Sequence, residues 1–291
     1  RSSTVLQISM LQWKATDVIM SSFPKSGATL TQMVLHQLKC PGDLSFEEIN
    51  LVVPSLEKAF AGLIDFNLME QEKEPRMYKT HWRIDRLPLG VRHIIVVRDP
   101  LRCAASYARW VRPNAREASV EERMASSYAA GSSRDDKDTR LWEVYFEEWC
   151  SAVLAWWPLR ARANVLVATY ERLSGEAGGE ESRAACVRQI AAHVGFSADE
   201  GGCSGVRFEA RVSAALENSA FSAMKALPTP LFDSHGQGEG APSPKVALGP
   251  AGVGLAPPPF VRAALERVWA SLALEETTGA ADYAQLTHML I

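Results

Sequence analysis

Three short runs of apolar and β-branched residues, DVIMSSF (17–23), RHIIVVR (92–98) and NVLVATY (164–170), constrain this chain more than any other feature. Each is short for a buried helix, and each passes through polar turn chemistry into a segment of helical period. That pattern marks buried strands joined by helical crossovers, so it predicts an α/β fold with a parallel β-sheet flanked by helices. A fourth stretch, RMYKTHW (76–82), has strand composition but little length and reads as a strand end. Helical spacing is plain in LTQMVLHQL (30–38), over 141–159, and over 181–194 and 258–273.

With 291 residues, 47% hydrophobic, no internal repeat and no clear linker, the expectation is a single domain spanning 1–291. Two stretches are too long for ordinary connections and read as mobile loops: 111–140, with its RDDKD run, and 228–259, where Pro and Gly concentrate. A net charge of −3 provides no global basic field for nucleic acid or an anionic membrane, so any bound anion needs a local cluster. No apolar run approaches the roughly 20 residues of a membrane span. The N-terminal segment lacks the apolar core and small-residue cleavage site of a secretory leader. It starts at Arg1, which suggests a piece of something longer. The five cysteines are scattered and never in C-x-x-C spacing. They read as free thiols in a reducing, cytoplasmic setting. No histidine pair has metal-ligand spacing, so no metal is expected.

The segment SSFPKSGATLT (21–31) places a Pro-Lys-Ser-Gly loop between a strand and a helix. Backbone N–H groups, the positive helix end, Lys25 and the Ser26 and Thr29 hydroxyls would all face one anion. The G-x-x-x-x-G-K-[ST] pattern of nucleotide triphosphate loops is absent, because Lys25 precedes Gly27. On its own the stretch leaves two readings, a phosphate cradle or a turn with an exposed lysine. In VVRDPLRCAASYARW (96–110), Arg98 ends a strand and Ser106 lies eight residues on, where two helical turns would return it to the guanidinium. The alternative there is a strand-end Arg98 paired with Asp99. YKTH (78–81) adds Lys79 and His81 at a further strand end. In open α/β sheets, ligands collect at the carboxyl ends of strands.

With these motifs in this order, the chain resembles the cytosolic sulfotransferase family, which uses 3′-phosphoadenosine 5′-phosphosulfate (PAPS). FPKSGATL is similar to the family's YPKSGTTW loop, MYKTHW to its KTH element, and VVRDPLRCAASYARW to VARNPKDVAVSYYHF. VPSLE (53–57), LWEVYFEEW (141–149), VLVATYERL (165–173) and NSAFSAMK (218–225) match further family segments. The resemblance implies a P-loop-like sulfotransferase fold and in-line sulfuryl transfer to a hydroxyl, releasing 3′-phosphoadenosine 5′-phosphate (PAP), with no metal. It assigns Lys25, Ser26, Gly27, Ala28 and Thr29 to the 5′-phosphosulfate, and Arg98 and Ser106 to the 3′-phosphate. Tyr170, Ser219, Phe221 and Met224 fall around the adenine. His81 is the implied general base, with Lys25 and Lys79 as the cations beside the transferring group.

Departures from the family pattern are specific. Leu30 replaces the tryptophan that stacks on adenine. The Arg-Lys-Gly element has only ALGPAG as counterpart, keeping Gly249 and Gly252 without the charges, so Lys225 or Lys245 compensates or the donor binds more weakly. The C-terminal dimerisation motif is not recognisable, which leaves a homodimer open. The acceptor is expected to be a small, largely apolar hydroxyl compound, with O- or N-sulfation undecided. A non-catalytic nucleotide-binding relative is the main alternative, and a P-loop nucleotide kinase a more distant one.

Overall fold

The computed structural model describes residues 11–110, 120–132, 135–196, 207–227 and 256–290. In chain order its main elements are β1 (Val18–Ser22), α1 (Ala28–Lys39), α2 (Leu56–Phe60), β2 (Met77–Thr80), β3 (Arg92–Val97), α3 (Pro100–Trp110), α4 (Val120–Ala130), α5 (Asp136–Trp156), β4 (Val165–Thr169), α6 (Gly179–His193), α7 (Phe208–Asn218), α8 (Phe221–Ala226) and α9 (Pro259–Ser271). The chain divides into two units, each woven from three stretches. One takes residues from 1–22, 27–97 and 160–249, and the other from 23–26, 98–159 and 250–291.

The first unit holds the whole sheet, four parallel strands in the order β2-β1-β3-β4. Val18 sits beside Met77 on one flank and Arg92 on the other, and His93 beside Val165. Alternation along β1 serves two cores. Val18 and Met20 pack with Val34, Leu35, Leu38, Val187 and Ile190, while Ile19 packs with Leu56, Tyr78 and Leu87. All three are fully buried, which is why β1 reads as a continuous apolar run rather than an alternating one. Each such side chain adds roughly 1.5–3 kcal/mol by leaving water.

The amino ends of β1 and β2 are clamped by a buried ion pair. Arg76 Nε and Nη2 donate to Asp17 Oδ1 and Oδ2 at 2.8 and 2.6 Å. Backbone bonds continue the clamp: the Val18 N–H donates to the Arg76 carbonyl at 2.8 Å, and the Arg92 N–H to that of Asp17 at 2.9 Å. At the far end of α1, Arg211 Nη1 donates to the Leu38 carbonyl at 2.7 Å, capping carbonyls that no helical N–H can reach.

The second unit is helical. Along α5, Trp142, Tyr145, Phe146, Trp149, Cys150, Val153 and Trp156 are buried at three- and four-residue spacing, as the sequence period predicts. Trp149 stacks on Trp269 of α9 with ring centroids 6.0 Å apart, and Arg267 Nε donates to Glu143 at 2.8 Å.

Within RMYKTHW, Met77–Thr80 form the four-residue strand β2, and the helices over 141–159, 181–194 and 258–273 appear with shifted ends. The stretch 111–140 differs from its expectation, because residues 120–130 form α4. Ser and Ala dilute its period, yet Met124, Ser127 and Tyr128 are buried together on one face. Helix α7 is missed for the same reason: FEARVSAALEN buries little beyond Val212 and Ala215 as apolar groups. The stretch 228–255, with Gly249, lies outside the described residues. No helix among the described residues is long and apolar enough to cross a membrane.

Candidate functional site

In the first unit, β2 ends at Thr80 and β4 at Thr169. His81 comes directly after β2. Its Nδ1 lies 2.8 Å from the Ser22 carbonyl oxygen. A carbonyl only accepts, so Nδ1 carries the proton, and in its neutral form the ring would have its lone pair on Nε2. The ring is half-buried. Lys79, on β2, is tied through its backbone N–H to the Pro54 carbonyl at 2.9 Å, and its Nζ lies 3.8 Å from Glu57 Oε2. Next to the His81 acceptor, Ser22 buries an Oγ with no hydrogen-bond partner among the described residues.

Gly27 directly precedes helix α1; its φ of 101° lies in the left-handed region, and no side chain caps the helix. The N–H groups of its first turn therefore stay available to an anion. A Cβ built on Gly27 would lie 2.5 Å from Tyr170 Cδ2, so the glycine allows the Tyr170 ring to close on the loop. Ala28, Thr29 and Leu30 are half-buried in that turn, and Leu30 packs on the apolar core beneath.

The second unit holds the other half of the loop. Lys25 adopts φ 67°, uncommon for a residue with a side chain. Its carbonyl accepts from Arg98 Nη1 at 2.9 Å. Arg98 is buried, and its own carbonyl accepts from Trp149 Nε1 at 3.2 Å. Ser26 is completely buried, with Oγ 3.3 Å from Cys103 Sγ. Its N–H donates to the Phe23 carbonyl at 3.1 Å. Ser106 lies half-buried on α3. Phe23 meets the Tyr145 ring edge-on at 5.1 Å. The Tyr145 hydroxyl is buried without a partner among the described residues, and burial pushes its pKa well up.

The residues expected around adenine separate by environment. Ser219 is buried with its Oγ 3.0 Å from Arg183 Nη2. Met224 packs against Met33, Phe46 and Ile49. Phe221 is exposed at the start of α8. Tyr170 stands at the end of β4 beside Gly27.

Two features escaped the sequence. Glu57, expected from the sequence only as one of the residues near 53–60 along an acceptor pocket, bonds to the β2 end. His36, Cys40 and Asp43, which their spacing alone does not single out, offer ligand-type atoms within 4.8 Å of one another. His36 Nε2 lies 3.1 Å from the Asp43 carbonyl, and Lys73 Nζ lies 3.9 Å from Cys40 Sγ. These bonds close the turn after α1, and an ammonium beside the thiol works against a cation there.

A parallel sheet flanked by helices places the first unit in the α/β class of proteins. Comparison makes this specific: the family model described as "Sulfotransferase domain" matches residues 15–239, so the chain belongs to the sulfotransferase family. Sulfotransferase 1 family member D1 of Rattus norvegicus is 25% identical over 179 residues, 57% of this chain and 56% of that protein. Sulfotransferase 1A1 of Bos taurus is 28% identical over 171 residues, 53% and 52% of the two chains. The chain thus spans about half the length of the curated relatives it matches. Among solved structures, mouse sulfotransferase SULT7A1 complexed with PAP superposes with a TM-score of 0.59 at 16% identity, covering 98% of this chain and 92% of that one. Retinol dehydratase in a complex with retinol and PAP superposes at 0.51 with 19% identity, covering 76% and 69%. Both show the same fold.

Proposed function

We propose that this protein transfers the sulfuryl group of PAPS to a hydroxyl of a small, largely apolar acceptor. The observation that carries this reading is the His81 ring. With Nδ1–H donated to the Ser22 carbonyl at 2.8 Å, the neutral ring would take a proton from an acceptor hydroxyl at Nε2. Membership of the sulfotransferase family supports it, as does the PAP held by both fold neighbours.

The residues fit such a donor on observations of their own. Helix α1 begins without a side-chain cap, and Lys25 sits two residues before its left-handed Gly27. PAPS supplies an electrophilic sulfur and a phosphate that departs as PAP. The chain supplies the rest. The N–H groups of Gly27, Ala28 and Thr29 and the Lys25 ammonium would hold the 5′ group, with Ser26 shaping the loop around it, since its hydroxyl meets Cys103 and its N–H the Phe23 carbonyl. Arg98, with Ser106, would hold the 3′-phosphate, and Gly249 would belong to the same subsite. Tyr170 would face the adenine, with Ser219, Phe221 and Met224 shaping its surroundings and Leu30 filling the place of a stacking ring. Lys79 and Lys25 would stabilise charge growing on the bridging oxygen, and His81 would accept the acceptor proton.

The test is transfer from radiolabelled PAPS across a panel of phenols, sterols and other alcohols. His81→Ala is expected to lower turnover about 10²–10⁴-fold, with PAP affinity by calorimetry little changed. Unchanged turnover removes His81 from the mechanism. PAP binding without any turnover would instead favour a non-catalytic nucleotide-binding relative, and Mg²⁺-dependent ATP turnover a kinase.

A further inference from the structure

Within the first unit, several groups converge on one carboxylate that no motif assigned. Glu57 stands in the short helix α2, which follows Pro54 and Ser55. Its Oε1 accepts from the Thr80 hydroxyl at 2.6 Å and from the backbone N–H of His81. Its Oε2 accepts from the Ser55 hydroxyl at 2.9 Å and lies 3.8 Å from Lys79 Nζ. Thr80 Oγ1 in turn accepts from the Trp82 N–H at 3.0 Å, so four consecutive residues, Lys79 to Trp82, depend on this one group. Burial would raise the Glu57 pKa. The Lys79 and His81 charges, the Thr80 hydroxyl and the His81 N–H more than offset that and hold it below the usual carboxylate range. The group is therefore an anion at neutral pH.

We propose that Glu57 is a positioning residue for His81, fixing the backbone turn after β2 so that the ring reaches the Ser22 carbonyl and presents Nε2. The inference rests on the sulfuryl-transfer reading for its catalytic meaning. The physical argument is that an imidazole is oriented only if both its backbone and one ring nitrogen are held. Ser22 holds the nitrogen at 2.8 Å, and Glu57 holds the backbone N–H. Without the carboxylate, a half-buried N–H loses its partner and the turn has a reason to relax. Second-layer bonds of this kind decide whether a site holds its geometry to a fraction of an ångström.

Two variants separate reach from charge. Glu57→Asp keeps the charge and withdraws it by one methylene. Glu57→Gln keeps the reach and an acceptor oxygen but no charge. Two-bond ¹H–¹⁵N correlation spectra of the free protein read the His81 tautomer with no donor or acceptor present. The wild type and Gln variant are expected to show Nδ1–H, and the Asp variant a mixture. In turnover, Asp is expected to lose about 10–100-fold in kcat with the PAP Kd unchanged, and Gln no more than about tenfold. A wild-type tautomer and kcat in the Asp variant would overturn the proposal, as would a Gln variant as impaired as Asp. Absence of sulfuryl transfer by the wild type would sink the proposed activity instead, while the tautomer comparison would still decide the role of Glu57.

Discussion

At the scale of single residues, the loop between β1 and α1 concentrates backbone conformations that side chains disfavour. Lys25 at φ 67° and Gly27 at φ 101° stand two residues apart, and only the second is a glycine. Such conformations persist where the surroundings determine them, often at ligand clamps. Gly27→Ala meets two separate penalties, the left-handed backbone and the contact with Tyr170. It is expected to cost roughly 1–3 kcal/mol in urea unfolding. Adding Tyr170→Ala to Gly27→Ala should return the steric part and leave the backbone part. Full recovery would mean that the backbone conformation carries no strain. Arg98 makes a different residue-scale statement. Because its Nη1 holds the Lys25 carbonyl, Arg98→Ala is expected to weaken PAP binding at least tenfold by calorimetry. Unaltered affinity would remove Arg98 from the proposed 3′-phosphate site.

At the scale of elements, the sheet depends on the clamp between Asp17 and Arg76 as well as on its apolar faces. The two side chains are almost wholly buried, and each is the other's charge partner. Removing one leaves a charge in a low-dielectric setting, so Asp17→Ala is expected to destabilise the fold by about 3–5 kcal/mol. Denaturant unfolding checks this, and a loss below about 1 kcal/mol would show that Arg76 finds another partner, with exposed Glu70 at 3.5 Å the nearest candidate. Three of the strands were legible because apolar runs of strand length had nowhere to go but a buried sheet, while RMYKTHW read only as a strand end. Helices α4 and α7 were not, since Ala and Ser give no period to read and burial of a few side chains is enough to dock them.

At the scale of the whole molecule, ligand binding offers a test that needs no acceptor. A nucleotide that binds only the folded state at 100 times its Kd adds about 2.7 kcal/mol of stability. PAP is therefore expected to raise the melting temperature by several degrees, and ATP with Mg²⁺ is not. The reverse result would favour the kinase alternative. The sequence by itself determined the parallel sheet, the order of the motifs and the family, because strand length, helical period and contiguous loop chemistry are local properties of the chain. Only the tertiary structure decided how those motifs are held. Ser26 turns its hydroxyl to a cysteine 77 residues away, and His81 takes its backbone partner from Glu57, 24 residues upstream. Such choices depend on which strands lie side by side and which buried donors then lack water, and no local pattern encodes them.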